Sequence, residues 1–405
     1  MPIRAQVCTW IAAVSLLAPS VAASQDRTER ELVELIVRDG PQARAIRAES
    51  EVTHREQLAR LSYTNPSVTY SREGAGFTEF FQAEQSISLF GARDALSRAG
   101  VAATAAAEAE RDLRLWLLRS EAAAAVARVV AEQERLESVR AHMREVERLI
   151  EILRTREREG EGSRFDRLRA EHELRDTSQL VTSAAVALAE ARATVSGMLP
   201  PDASLTTVAG TPIAQQPLVP VEMLFTRATS TRAELRALEQ LDQRAVFEAD
   251  AARRARLPSP NLFGGVKRAD EWSGRKTGGV FGVTVALPLF DSGGREAARW
   301  EAEGSRVEAE RMSIEYRIRS EIAGASEVLM LRQAALSEEG DQQGTAEELV
   351  QIAVVAYREG EAGILELLDA ARTASRARTR RIDVRLDARL AQIALERAVG
   401  DTLWP

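Results

Sequence analysis

Cysteine is almost missing. Cys8 is the only one in 405 residues, and it lies near the start. Beyond it the chain can form no disulfide and offers no thiolate as metal ligand or nucleophile. Histidine is nearly as scarce. His54, His142 and His172 are the only three. Each sits in a charged helical context, none has zinc-site spacing, and all read as residues on solvated helix faces. Lysine is rarer still, with Lys267 and Lys276 alone, and arginine carries the remaining basic charge. Aromatics make up only 5%. The 45% of hydrophobic residues is rich in Ala, which suits close helix contacts better than a thick globular core. No stretch after the leader reaches the ~18 apolar residues of a membrane-spanning helix. A net charge of -7 argues against a nucleic-acid partner. No glycine cluster is followed by the Lys-Ser/Thr pair of a phosphate loop. Carboxylates are many, but a long charged helix supplies i,i+4 pairs by chance. No catalytic, cofactor or metal constellation stands out, so no enzyme is expected.

The first residues read as a secretory signal. Arg4 lies in a short basic leader, Ile11 to Ala18 is an apolar run, and Val21-Ala22-Ala23-Ser24 offers a small-residue cleavage site. The signal is expected to cover 1–23. Cys8 precedes the apolar run, so it is not read as a lipid-attachment site. An exported chain of this kind can be periplasmic, extracellular or an outer-membrane β-barrel.

The dominant feature is an internal repeat. Arg158-Glu159-Gly160-Glu161 recurs as Arg358-Glu359-Gly360-Glu361, 200 residues later. Phe90-Gly91 has a counterpart in Phe290-Asp291 at the same offset. Asn65-Pro66 parallels Ser259-Pro260, and Val195-Ser196-Gly197 resembles Val399-Gly400. The division expected is a first repeat at 24–197, a connector at 198–220, a second repeat at 221–400 and a short tail at 401–405. Pro200, Pro201, Pro212, Pro217 and Pro220 make the connector a poor helix or strand. Helices are expected near 42–62, after the break at Gly40-Pro41, and near 230–257.

Each repeat carries a β-like pair, spanning 67–89 and 261–289. Phe281, Val283, Val285, Leu287 and Leu289 alternate with Gly282, Thr284 and Ala286 over about the length of a tilted membrane strand. The first-repeat face carries Phe77, Phe81, Ala83, Ile87 and Leu89, but also Glu79 and Gln85, and is less clean. A soluble hairpin packed on helices shares this pattern.

Long helices follow at 92–158 and 295–358. The first contains no Pro and one Gly, Gly100. As a single helix it is about 100 Å long, at 1.5 Å per residue. Leu136, Val139, Met143, Val146, Ile150 and Leu153 step as in a coiled coil. Ile314, Ile318, Ile322, Ala325 and Leu329 step closer to an eleven-residue period, so supercoiling is weak and helices can stand around a wide cylinder. Return helices are expected at 163–197 and 363–399. Four strands cannot close a barrel, so the pattern calls for assembly, and three copies supply twelve strands.

These features together resemble the TolC-like outer-membrane efflux proteins over nearly all of the chain after the leader. The duplication carries the resemblance, with Asn65-Pro66 and Pro260 before the hairpins. So do Leu287-Pro288-Leu289-Phe290-Asp291-Ser292-Gly293-Gly294-Arg295 and Ile87-Ser88-Leu89-Phe90-Gly91-Ala92-Arg93 at the strand-to-helix passages. The resemblance implies a mainly α fold with a small β part: a trimeric α-barrel of long hairpins topped by a twelve-stranded β-barrel. It implies a passive outer-membrane exit duct with a long periplasmic extension. Its partners would be a homotrimer, outer-membrane lipid, a periplasmic adaptor and an inner-membrane transporter of RND type. The short termini and Phe90-Gly91-Ala92-Arg93 are most similar to the branch serving heavy-metal cations. Drug or solvent efflux and type I protein secretion are the alternatives of the same class, and a periplasmic coiled-coil adaptor or scaffold is the alternative of another.

The resemblance makes the two helix reversals the functional tips. Gate candidates are Arg164, Asp166, Arg167, Tyr357, Glu361, Glu366 and Asp369, with Asp166 and Arg164 set against Glu366. The reversal and adaptor contact would use Gly160, Gly162, Phe165, Gly360, Gly363, Ile364 and Leu365. Phe281, Val283, Val285 and Leu287 would face lipid.

Overall fold

The computed structural model describes residues 27–74, 78–205, 207–209, 219–257, 259–287, 290 and 293–404. The expected signal, Cys8, Phe77, Pro212, Pro217, Pro288, Leu289, Asp291 and Ser292 lie outside them. The elements run β1 (Arg27–Thr28), α1 (Glu29–Asp39), α2 (Pro41–Arg60), β2 (Ser67–Glu73), β3 (Thr78–Ser86), α3 (Ala92–Glu159), α4 (Arg164–Met198), β4 (Val208–Ala209), α5 (Val221–Thr231), α6 (Ala233–Ala255), β5 (Pro260–Glu271), β6 (Gly274–Val285), α7 (Gly294–Glu359) and α8 (Ile364–Val399).

Two rods set the length of the molecule. α3 has 68 residues and α7 has 66, so each is about 100 Å long. No proline interrupts either one, and Ala is frequent in both. At the sheet end, α2 lies against α3, and α6 lies between α3 and α7. Ala95, Ala99, Ala102, Ala103 and Ala106 of α3 are buried there. With only a methyl group at each contact, the axes can approach closely. Toward the other end, α8 takes the place between α3 and α7, and α4 flanks α3. Leu136, Val139, Val146, Ile150 and Leu153 are buried at the seam the 3–4 spacing marks. So are Ile314, Ile318, Ile322 and Leu329 of α7. His142 departs from expectation: it is only 3% exposed, because it falls one residue before Met143 and shares the buried stripe. His172 is exposed beside Asp176.

Midway, a small clasp ties the chain start to the connector. β1 and β4 pair in parallel, which the proline-rich spacing of 198–220 does not announce. Gln133 of α3 holds β4 from the side. Its Nε2 donates to the Val208 carbonyl at 3.0 Å, and its Oε1 accepts from the Val208 amide at 3.3 Å. α1 starts on a capping box, in which the Thr28 hydroxyl accepts from the Glu31 amide and Glu31 returns the bond.

The four long strands form one antiparallel sheet in the order β2-β3-β5-β6. Its strands are shorter than the expected 67–89 and 261–289, because β3 stops at Ser86 and β6 at Val285. β5 and β6 are joined by a two-residue turn, Trp272-Ser273, tighter than the glycine-rich loop expected at 270–278. The register puts Val68, Tyr70, Phe81, Ala83, Leu262, Val266, Phe281, Val283 and Val285 on one face. All nine are exposed. Leu287 is exposed too, but lies past the end of β6 and is not a strand residue. The two polar intruders in the first-repeat face acquire a reason. Glu79 stands in line with Arg72 and Arg268, in a charged row that ends the apolar band on one side. Gln85 sits at the other edge, where its amide donates to the Thr64 and Ser86 carbonyls.

At the strand-to-helix passages, Gly91 and Gly293 are the left-handed N-caps of α3 and α7, at φ 74° and 69°. The structural counterpart of Gly91 is therefore Gly293, two residues beyond the Asp291 that the 200-residue offset pairs with it. A side chain at Gly293 would also collide with the Ala252 carbonyl oxygen, 2.2 Å from where its Cβ would lie.

Candidate functional site

The rods end at two tips built on one plan. α3 stops at Gly160, at φ 80°, and α7 stops at Gly360, at φ 79°. The next amide in each reaches back to the last turn. Glu161 N–H donates to the Arg156 carbonyl, and Glu361 N–H to the Ala356 carbonyl, both at 2.9 Å. This closing bond requires a left-handed residue, which is why glycine recurs at both positions. The return helices then differ. Ser163 caps α4, its hydroxyl accepting from the Phe165 amide at 3.1 Å. Gly363 occupies the same place before α8 and has no side chain to cap with. Gly162 lies against the end of α3, where a Cβ would stand 2.8 Å from the Glu157 nitrogen.

The expected gate residues separate into three groups. Arg164, Glu361, Glu366 and Asp369 are exposed, and Asp166 is half-buried. No ion pair joins Arg164 or Asp166 to Glu366 within the chain among the described residues. Arg167 is not a free charge. Its Nε bonds Glu157 at 2.5 Å and its Nη1 bonds Glu171 at 2.9 Å, bracing α4 against α3. Arg167 foremost, and Arg154 after it, hold the Glu171 carboxyl below its ordinary range. Tyr357 joins the two tips. Its ring lies 5.6 Å from the Arg156 guanidinium, and burial first, then the nearby Asp166 charge, pushes its phenol up. Asp166, Arg156 and Tyr357 thus form one polar cluster across the two repeats.

Among the apolar tip residues, Phe165 is 64% and Leu365 50% exposed. Ile364 is 3% exposed and sits with Val146, Ile150, Leu153 and Leu367 in the core between the hairpins. It is unavailable as a surface contact, because α8 begins there and turns that residue inward.

Sequence reasoning missed a ladder of arginines on α8. Arg372 Nε reaches Glu173 of α4 at 2.8 Å, and Arg378 reaches Glu145 of α3 at 3.4 Å. Arg385 reaches Glu134 of α3 at 2.9 Å, and Arg389 reaches Glu29 of α1 at 2.7 Å. Every rung ties the second repeat to the first. Glu173 and Glu29 are buried. His142 foremost, with Arg378, lowers the Glu145 carboxyl. The sequence signal was a mixed one, since arginines at 372, 378, 385 and 389 are dispersed among others on a helix rich in arginine.

Comparison with known proteins agrees with this geometry. Residues 224–401 match the family described as Outer membrane efflux protein. Among curated protein sequences there is no match. The fold is shared with the open state of the MtrE outer membrane channel of Neisseria gonorrhoeae, at TM-score 0.74 and 19% identity over 93% of this chain and 90% of that one. It is shared equally with CusC, at TM-score 0.74 and 16% identity over 93% and 92%. The outer membrane protein VceC of Vibrio cholerae follows at TM-score 0.72 and 18% identity, over 93% and 97%. The family match is confined to residues 224–401, and the chain as a whole shares the fold of MtrE, CusC and VceC.

Proposed function

We propose that three copies of this chain close into a passive exit duct, fed by an inner-membrane transporter of RND type through a periplasmic adaptor. One observation carries the reading: a four-stranded sheet with an exposed apolar face and, among the described residues, two unpaired edges. Strand edges cannot be left open in a bilayer, since their amides would have no partner there. Closure by other copies removes them, and three copies give twelve strands. The helical layer has matching free edges. α7 exposes Tyr316, Leu331, Ile352 and Val355, and α4 exposes Leu180 and Val186. These apolar faces suit side-by-side contact between copies.

In this reading the chain divides into repeats at 24–197 and 221–400 with a belt segment at 198–220. The tips lie at the periplasmic end. Threefold symmetry would turn Asp166, Arg164 and Glu366 into rings of alternating charge at the closed aperture, with Glu361 and Asp369 beside them. Phe165 and Leu365 would meet the adaptor. Cargo is set by the transporter rather than by a binding site in the duct. Heavy-metal cations remain the first cargo in this reading, with drugs, solvents or secreted proteins as the alternatives.

Planar-bilayer conductance of the detergent-purified protein tests the reading, with oligomer mass from the same sample. A trimer passing a small current is expected. Asp166→Ala should leave the mass unchanged and alter the conductance; an unaltered conductance removes Asp166 from the gate. A protein that stays monomeric and soluble without detergent would sink the duct.

A further inference from the structure

We propose that the outer mouth of the lumen carries a collar of ammonium–aromatic pairs, Lys267 over Phe80, that accepts amphiphilic organic anions. The proposal rests on the barrel reading above. Lys267 and Lys276 are the only lysines of the chain. The register puts both on the sheet face opposite Phe281, Val283 and Val285, which is the face turned to the lumen once the barrel closes. Lys267 stands across from Gly278 and Lys276 across from Ala269, so the two are diagonal neighbours on adjacent strands. Both are exposed. On its other side Lys267 faces Phe80 of β3, and its ammonium lies 5.1 Å from the ring centroid.

The position of this cluster matters as much as its chemistry. It lies beyond the apolar band, level with the outward row of Arg72, Glu79 and Arg268, and therefore at the outer end of the strands. The same luminal face carries Glu84 farther in, Glu73 in the row of Lys276 and Glu271 one position farther out, so the anion anchor is the local pair and not the mouth as a whole. A solute leaving the duct meets this ammonium–aromatic pair near the exit. An ammonium over a ring repels cations and offers an anion a charged anchor beside an apolar surface. A molecule with an aromatic or alkyl body and one carboxylate or sulfonate satisfies both parts. Symmetry repeats the pair in every copy, so the collar acts on any path through the mouth.

The purified trimer tests this directly. Its lysines are acetylated with a water-soluble amine reagent, and peptide mass spectrometry follows the rate at each position. The probes are 1-naphthalenesulfonate and its cationic counterpart, 1-naphthylmethylammonium. The anion is expected to slow acetylation of Lys267 about threefold, the size of an exposed ion-pair contact, and the cation to leave it unchanged. In bilayers under a salt gradient, the double variant K267E/K276E should move the reversal potential toward cation preference. A conducting trimer whose Lys267 reacts alike with either probe, and whose reversal potential ignores the double variant, overturns the collar alone. A monomer that forms no channel overturns the barrel reading and the collar with it.

Discussion

Phe281→Arg is the sharpest test of the membrane face. The apolar band runs along β6 from Val285 to the charged row, which Thr277 joins opposite Arg268. Eight residues at about 3.4 Å each give roughly 27 Å along the strand. Tilted about 40°, that is some 21 Å of height, close to the ~25 Å apolar belt of outer-membrane barrels. Phe281, in line with Gly264, Ala83 and Val68, lies at half depth, while Val285 lies at the edge. The register therefore puts the deepest position at Phe281. An arginine at mid-depth costs about 2–4 kcal/mol, and one near the interface about 0–1. Over three copies, F281R loses roughly 6–12 kcal/mol per assembly and V285R at most about 3. T284R is the control, since Thr284 lies on the opposite sheet face and should cost little. The heat-modifiable trimer fraction in outer membranes, followed through a urea series, measures the contrast. Equal losses for F281R and T284R would refute the facing, and equal losses for F281R and V285R would refute the depth.

Two further outcomes follow from the interior. Glu173→Ala leaves Arg372 without its buried acceptor, and should cost about 1–3 kcal/mol in thermal or urea unfolding. Arg372 is 35% exposed, so water limits the loss below that of a fully buried pair. Glu173→Gln should recover part of it; no loss in E173A would remove the ladder from the forces joining the repeats. Glu396 accepts from the Leu403 and Trp404 amides, and burial raises its carboxyl above the ordinary 4.5. A raised value means the protonated form stabilises the fold. That contribution is whole below the ordinary range and disappears as pH rises through the raised value. Glu396→Gln keeps the acceptor without the charge. It should stabilise the fold by up to about 1 kcal/mol near neutral pH and flatten the pH dependence above 4.5 in denaturation curves. A wild-type pH profile that E396Q retains would refute it.

Much of this architecture is local and so was legible. Proline-free, alanine-rich runs must be long helices, and Gly160 and Gly360 mark their ends because only glycine accepts the left-handed cap cheaply. Period-two alternation marked the apolar sheet face at Phe281, Val283 and Val285. Buried His142 reads as solvated in the sequence because one residue of helical phase separates the solvated face from the core, and the charges around it mask that phase. Arg167 reads as a gate charge in the sequence because nothing local shows that Glu157 and Glu171 hold it.

What the sequence alone determined is what depends on nearest neighbours: rods, reversals, strand faces and the duplication. What the tertiary structure decided is what depends on pairing between distant segments. The β2-β3-β5-β6 order gives Glu79 its place in a charged row and joins Lys267 to Phe80. The packing of α8 between α3 and α7 aligns its arginines with carboxylates from three other helices. A side chain's partners across 200 residues follow from the relative rotation and register of whole elements, which burial of all their faces together fixes and no local pattern encodes.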